Sequence, residues 1–220
     1  MLEFKKVSSP QPAAEYLAGE INNHLEKGES VFWLLSGGSA MVAAIDAAKL
    51  LAKNGRDRLI ITLLDERYGA IGHKDSNSKQ LANAGFNLFD VKLEPVLIGK
   101  SLDETVANFK QVIITGLKSD FKIGLFGIGP DGHTSGILPG SPGTDSGELA
   151  LSYPAQDYGQ RITTTAKTIS TLDEAVVYAM GDSKHQALDN LQKQLEVSVQ
   201  PAQILKLLKK TVIFNDYIGD

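Results

Sequence analysis

Lys122-Ile-Gly-Leu-Phe-Gly-Ile-Gly-Pro-Asp-Gly-His-Thr-Ser-Gly-Ile-Leu-Pro-Gly140 runs from a short apolar segment straight into a glycine-rich loop. The apolar run Ile123, Leu125, Phe126 predicts a buried strand. The loop behind it carries one carboxylate, Asp131, and one imidazole, His133, among glycines that permit a ligand to approach the backbone. A titratable pair at the C-terminal end of a strand is a site candidate, because ligands of open α/β sheets bind at those ends.

The same pattern recurs on either side. Val31–Leu35 is a continuous apolar run, too short for a helix, that ends in Ser36-Gly-Gly-Ser39 and an alanine-rich helix over about 40–53. Leu59–Leu64 predicts a second strand leading into Asp65-Glu-Arg67, read as a charged turn, and a short helix follows near Ser78–Ala84. Ala175–Met180 predicts another strand, then Gly181-Asp182 and a helix with Leu188, Leu191 and Leu195 on one side. Pro12–Lys27 reads as a helix, and Ser101-Leu-Asp-Glu104 as a capping box before an amphipathic one. Arg161–Thr165 and Thr211–Phe214 read as strands, and Pro142–Gln160 as loop. Strands alternating with helices predict an α/β fold, a doubly wound, mostly parallel sheet with helices on both faces, in a single domain over residues 1–220.

Composition narrows the function classes. A formal net charge of −4 gives no electrostatic case for nucleic acid as a partner. There is no cysteine, which rules out disulfides and thiolate metal sites. Met1–Pro10 lacks the apolar core of a signal peptide, and no stretch is apolar enough to span a bilayer. The expectation is a cytoplasmic protein without membrane association, a monomer or small homo-oligomer.

Gly127-Ile-Gly-Pro-Asp-Gly132 literally matches the dinucleotide pattern G-x-G-x-x-G. That fingerprint needs a helix opening at its end, and His133–Gly140 holds two glycines and a proline within eight residues, so a nicotinamide cofactor is not expected. His24, His73 and His185 stand in no ligand spacing to Asp131 and His133, and neither a metal nor any other cofactor is expected. Ser36–Ser39 has two readings that spacing leaves open: a phosphate loop at a helix N-terminus, or a glycine turn with Ser39 as N-cap. Carboxyl ends of parallel strands converge, so Asp65, Arg67, Asp131, His133 and the Ser36–Ser39 loop should be neighbours. Arg161 and Lys184 lie at element edges, from which they could neutralise a phosphate.

Three motifs together, Ser36-Gly-Gly-Ser39, Asp65-Glu-Arg67 with Asp75-Ser-Asn77, and Gly127–Thr134 with Leu138-Pro-Gly140, resemble the 6-phosphogluconolactonase family. Arg161-Ile-Thr and Gly181-Asp-Ser-Lys184 extend the resemblance over nearly the whole chain. It departs at Ala40-Met41, where the family has Thr-Pro, and at Tyr68-Gly-Ala70. The resemblance implies hydrolysis of a sugar-phosphate lactone, 6-phospho-D-glucono-1,5-lactone, in the oxidative pentose phosphate pathway. In that reading His133 is general base, Asp65 and Asp131 orient Arg67 and His133, and Arg67 steadies the oxyanion or the sugar hydroxyls. The phosphate is held by Ser36, Gly37, Gly38 and Ser39 with Arg161 and Lys184. Two alternatives share the fold: a glucosamine-6-phosphate deaminase (isomerase) and a non-catalytic sugar-phosphate-binding module. The deaminase loop continues Ile-Ala-Phe-Asn-Glu-Pro after its histidine, whereas Thr134-Ser-Gly-Ile-Leu-Pro139 stands here.

Overall fold

The computed structural model describes residues 1–88, 90–91, 93–155 and 159–219. In chain order the elements are β1 (Leu2–Lys6), α1 (Gln11–Glu26), β2 (Val31–Leu35), α2 (Met41–Leu50), β3 (Leu59–Leu63), β4 (Asp65–Arg67), α3 (Asn77–Asn83), β5 (Leu93–Glu94) and α4 (Leu102–Gly116). There follow β6 (Phe121–Phe126), β7 (Ala150–Ala155), β8 (Gly159–Thr164), α5 (Ala166–Ile169), β9 (Glu174–Ala179), α6 (His185–Leu191) and β10 (Lys210–Asn215).

Seven strands form one sheet in the order β1-β10-β9-β6-β2-β3-β5, and every pair in it is parallel. Every residue of β2 and of β9 is buried, so both faces of the sheet are covered. Trp33, Phe32, Phe109, Phe126 and Phe214 are the bulkiest fully buried side chains of the core. From β2 the chain moves outward through β3 and β5, then returns to β6 on the other flank of β2 and continues outward through β9 and β10. The strand order therefore reverses between β2 and β6, and there the carboxyl-end loops part to leave a crevice. Leu35 pairs with Leu125 at that end, and Ser36 N–H donates to the Leu125 carbonyl at 3.0 Å, which brings the Ser36–Ser39 loop and the Gly127–Gly140 loop together.

The capping box at the start of α4 is present, with Ser101 Oγ accepting from the Glu104 N–H and the Glu104 carboxylate accepting from the Ser101 N–H. Three expectations need correction. Asp65-Glu-Arg67 is a strand rather than a turn, and it belongs to a second, antiparallel sheet in the order β4-β8-β7. Leu64 joins the two sheets: its N–H donates to Leu35 O at 2.7 Å and its carbonyl accepts from Thr164 N–H at 2.8 Å. The stretch read as loop over Pro142–Gln160 contains β7 and the start of β8, although 156–158 lie outside the described residues. Pro154 is tolerated because β7 has a partner on one side only. Finally, α6 stops at Leu191, so Leu195 is not on its apolar side.

Candidate active site

Local geometry starts from the charged strand β4. Alternation sends Asp65 and Arg67 to one side, where both line a cavity, and Glu66 to the other. Glu66 is fully buried and saturated: its carboxylate accepts from the N–H groups of Arg67, Asn77 and Ser78 and from Ser76 Oγ, at 2.6 to 3.0 Å. These bonds fix the start of α3 beneath β4. They deliver Asn77 to Asp65, where Asn77 Nδ2 donates to the Asp65 carbonyl at 3.0 Å and to Oδ2 at 3.3 Å.

Asp65 sits opposite Thr163 in the antiparallel pair, two residues from Arg161. Arg161 Nη1 lies 3.7 Å from Asp65 Oδ2, and each side chain is only 5% exposed. Burial pushes the Asp65 carboxyl up, and the Arg161 and Arg67 guanidiniums pull it back. Arg161 is thus a buried strand residue rather than an element edge, and its charge is shared with Asp65. Arg67 Nη1 donates to the Asp75 carbonyl at 2.7 Å, which holds the guanidinium against the loop before α3.

The Asp131–His133 loop is closed by Gly129, whose N–H donates to His133 O at 2.9 Å and whose carbonyl accepts from Gly132 N–H at 2.9 Å. Asp131 Oδ1 accepts from His133 Nδ1 at 2.5 Å and from the His133 backbone N–H at 3.1 Å. A carboxylate can only accept, so Nδ1 carries a proton, and in the neutral imidazole the free lone pair is on Nε2. A Cβ on Gly129 would fall 2.1 Å from His133 Nδ1, so the pair occupies space that only glycine leaves open. No helix opens after Gly132, which removes the dinucleotide reading of this loop.

The Ser36–Ser39 loop folds into a short 3-10 turn at Gly38–Ala40 ahead of α2. Ser39 caps nothing; its Oγ instead accepts from Lys184 Nζ at 2.6 Å. Burial holds the Lys184 ammonium below the usual lysine range, against the opposing pull of Asp216.

All these parts border one cavity of about 260 Å³. Ser36, Gly37, Gly38, Ser39, Asp65, Arg67, His133, Arg161 and Lys184 line it, and Asp131 stands behind His133. The two carboxylates divide their work as the sequence could not specify: Asp131 serves His133, and Asp65 serves Arg161 and Asn77 rather than Arg67 alone. Gly129, Asn77, Ser135 and Leu138 also line the cavity, although sequence reasoning assigned none of them a binding or catalytic role there. Asn77 had a signal, since it belongs to the Asp75-Ser-Asn77 motif behind the charged strand; Ser135 had only its place two residues after His133. Among the described residues no group of three or more His, Cys, Asp or Glu could hold a metal ion, and no helix is long and apolar enough to cross a membrane.

A polar crevice at the strand-order reversal of an open parallel sheet, basic at one rim and carrying a carboxylate-held histidine at the other, defines a doubly wound α/β ligand-binding protein. The model of the family "Glucosamine-6-phosphate isomerases/6-phosphogluconolactonase" matches residues 6–214. The chain belongs to that family. It is 26% identical over 214 residues to a 6-phosphogluconolactonase of Caulobacter vibrioides, covering 88% of this chain and 86% of the relative. A 6-phosphogluconolactonase of Synechocystis is 28% identical over a shorter match, 58% of this chain and 57% of the relative. Among solved structures, a 6-phosphogluconolactonase from Thermotoga maritima superposes with a TM-score of 0.77 at 19% identity, over 98% of this chain and 99% of that one. A monomeric glucosamine-6-phosphate deaminase superposes with a TM-score of 0.75 at 18% identity, over 97% of each chain. At these identities the superpositions speak to the fold, which both activities share.

Proposed function

We propose that the protein hydrolyses 6-phospho-D-glucono-1,5-lactone to 6-phosphogluconate. The observation that carries this reading is that one cavity joins the Lys184–Ser39 contact and the Asp131–His133 pair. At about 260 Å³ the cavity is smaller than the ~300–1,000 Å³ of sites for drug-sized ligands, and it suits a small phosphorylated sugar.

The phosphate rests on the Ser36–Ser39 loop against Lys184, with Arg161 adding positive charge nearby. Anchoring there fixes the ring and holds C1 over the histidine. His133 Nε2 takes a proton from water as the water oxygen bonds to C1. The ring C1–O bond then breaks, and the proton passes from Nε2 to the departing ring oxygen. Asp131 keeps Nδ1–H in place and stabilises the transient imidazolium. Arg67 faces the oxyanion or the sugar hydroxyls. General acid–base assistance of this kind supplies ~10²–10⁴-fold. A lactone is an activated ester, so the scheme needs neither a covalent nucleophile nor a metal.

The named relatives support a lactonase over a deaminase, and so does the loop after the histidine, where Thr134-Ser-Gly-Ile-Leu-Pro139 lacks the glutamate of the deaminase's Ile-Ala-Phe-Asn-Glu-Pro. The test is a lactone-hydrolysis assay at a pH where spontaneous opening is slow, with wild type and His133→Ala in parallel, and ammonia release from glucosamine 6-phosphate as second readout. Lactone turnover in the wild type, a loss of ~10²-fold or more in the variant, and no ammonia are expected. Equal rates in the two proteins would remove His133 from its role, and ammonia release would replace the lactonase by a deaminase.

A further inference from the structure

Ser135 stands apart from its neighbours in the loop. Its φ is +53°, and it is the one non-glycine residue with positive φ among those described. It occupies the second position of a turn closed by Ile137 N–H donating to Thr134 O at 3.0 Å. Glycine is the inexpensive residue at such a position. A glycine is present, but one residue later: a Cβ on Gly136 would come within 2.8 Å of Arg161 Cδ and of Asp65 Cβ, so Gly136 is required for close packing instead. The turn is pinned from outside by Thr134 Oγ1 donating to Gly127 O at 2.9 Å and Tyr153 Oη donating to Gly136 O at 2.6 Å. Ser135 is therefore held in a conformation that its own side chain disfavours.

That side chain has no internal use. Ser135 is 8% exposed, it borders the cavity, and its hydroxyl has no hydrogen-bond partner among the described residues. A buried, unpaired hydroxyl is itself unfavourable. Two independent costs, one in the backbone and one in the side chain, meet at a residue beside the histidine. On its other side, Gly136 rests on the Asp65–Arg161 pair. The hydroxyl turns on a single χ1 bond, so it can meet a ligand group with only one rotation.

We infer that the Ser135 hydroxyl hydrogen-bonds a carbon-chain hydroxyl of the bound sugar phosphate, one that the lactone and its open-chain product share, so that Ser135 is a specificity-determining residue of the cavity. The identity of the ligand rests on the lactonase reading; the role of Ser135 as a sugar-hydroxyl contact rests on the turn and the unpaired hydroxyl.

The experiment is calorimetric titration of wild type, Ser135→Ala and Ser135→Gly with 6-phosphogluconate and, separately, with inorganic phosphate, together with a melting curve for each protein. Ser135→Ala should weaken 6-phosphogluconate by about 3–10-fold, the range for one uncharged hydrogen bond, and leave phosphate affinity unchanged. Ser135→Gly should lose the same affinity while its Tm rises by about 2–4 °C, because glycine relieves the left-handed backbone. A merely structural serine would move stability and affinity in the same direction. Unchanged 6-phosphogluconate affinity in Ser135→Ala, or equal weakening of both ligands, overturns the assignment. A wild type that binds 6-phosphogluconate normally but does not turn over the lactone strikes down the proposed reaction and leaves the Ser135 result standing. No binding by the wild type overturns both.

Discussion

Replacing Gly129 by alanine should disable the Asp131–His133 pair while sparing the fold. Gly129 does not have a positive φ, so its backbone is open to alanine. The added methyl, however, would stand 2.1 Å from His133 Nδ1, 2.2 Å from Cε1 and 2.7 Å from Asp131 Oδ1. Ordinary contact begins near 3.4 Å, so the imidazole must retreat by roughly 1.3 Å, taking Nε2 with it. A misplacement of ~1 Å at a reacting group costs ~10²-fold, and kcat should fall by about that factor with KM nearly constant. The assay is lactone turnover by wild type, Gly129→Ala, His133→Ala and the double variant, with thermal melts alongside. If the methyl acts only through the imidazole, adding it to His133→Ala costs nothing further. A double variant slower than His133→Ala by the full single-variant factor would refute this reasoning, as would Gly129→Ala with wild-type kcat.

Other perturbations address the rest of the site and the scaffold. Arg161→Met leaves Asp65 buried without the guanidinium 3.7 Å away and should cost about 3–5 kcal/mol in urea denaturation, with partial rescue by Asp65→Asn. Lys184→Ala should raise KM for the phosphorylated lactone by ~10-fold or more while sparing kcat, and should leave turnover of the unphosphorylated lactone unchanged; a loss confined to kcat would contradict a purely anchoring lysine. Glu174, buried at the start of β9 against Tyr16 and Lys210, has its carboxyl pushed up by burial. A raised folded-state pKa stabilises fully below the ordinary carboxyl range, and that contribution is lost as pH climbs through the folded value. Urea midpoints should therefore decline from about pH 4.5 upward more steeply in wild type than in Glu174→Gln; parallel profiles would exclude Glu174 as a source.

What could be read from the chain followed hydrophobic continuity. Val31–Leu35 and Glu174–Ala179 are buried at every position, so their apolar runs announce themselves, and the loops after them carry the site at their carboxyl ends. The second sheet had no such signal. Asp65-Glu-Arg67 looks like a solvated turn because all its side chains are charged, yet each charge has a partner within the fold: Asp65 on Arg161, Glu66 on the start of α3, Arg67 on the loop before α3. β7 was hidden by Pro154 and by Gly and Ser around it, and β1 by its mixed composition at the edge of the sheet. The residues of the candidate site were legible as chemical types at strand ends. Their pairing was not, because Asp131 with His133 and Asp65 with Arg161 depend on a loop turn and on antiparallel register, neither of which has a sequence period.

The contact between Lys184 and Ser39 bears on how a substrate arrives. The Lys184 ammonium donates to the neutral Ser39 hydroxyl at 2.6 Å and makes no ion pair with a carboxylate among the described residues. An incoming dianion takes over the ammonium contact that Ser39 holds and leaves Ser39 to rotate and donate in its turn. Capture should then be governed by long-range attraction, quick at low ionic strength and slowed by added salt, while release, set by the short contacts at the loop, stays nearly indifferent to it.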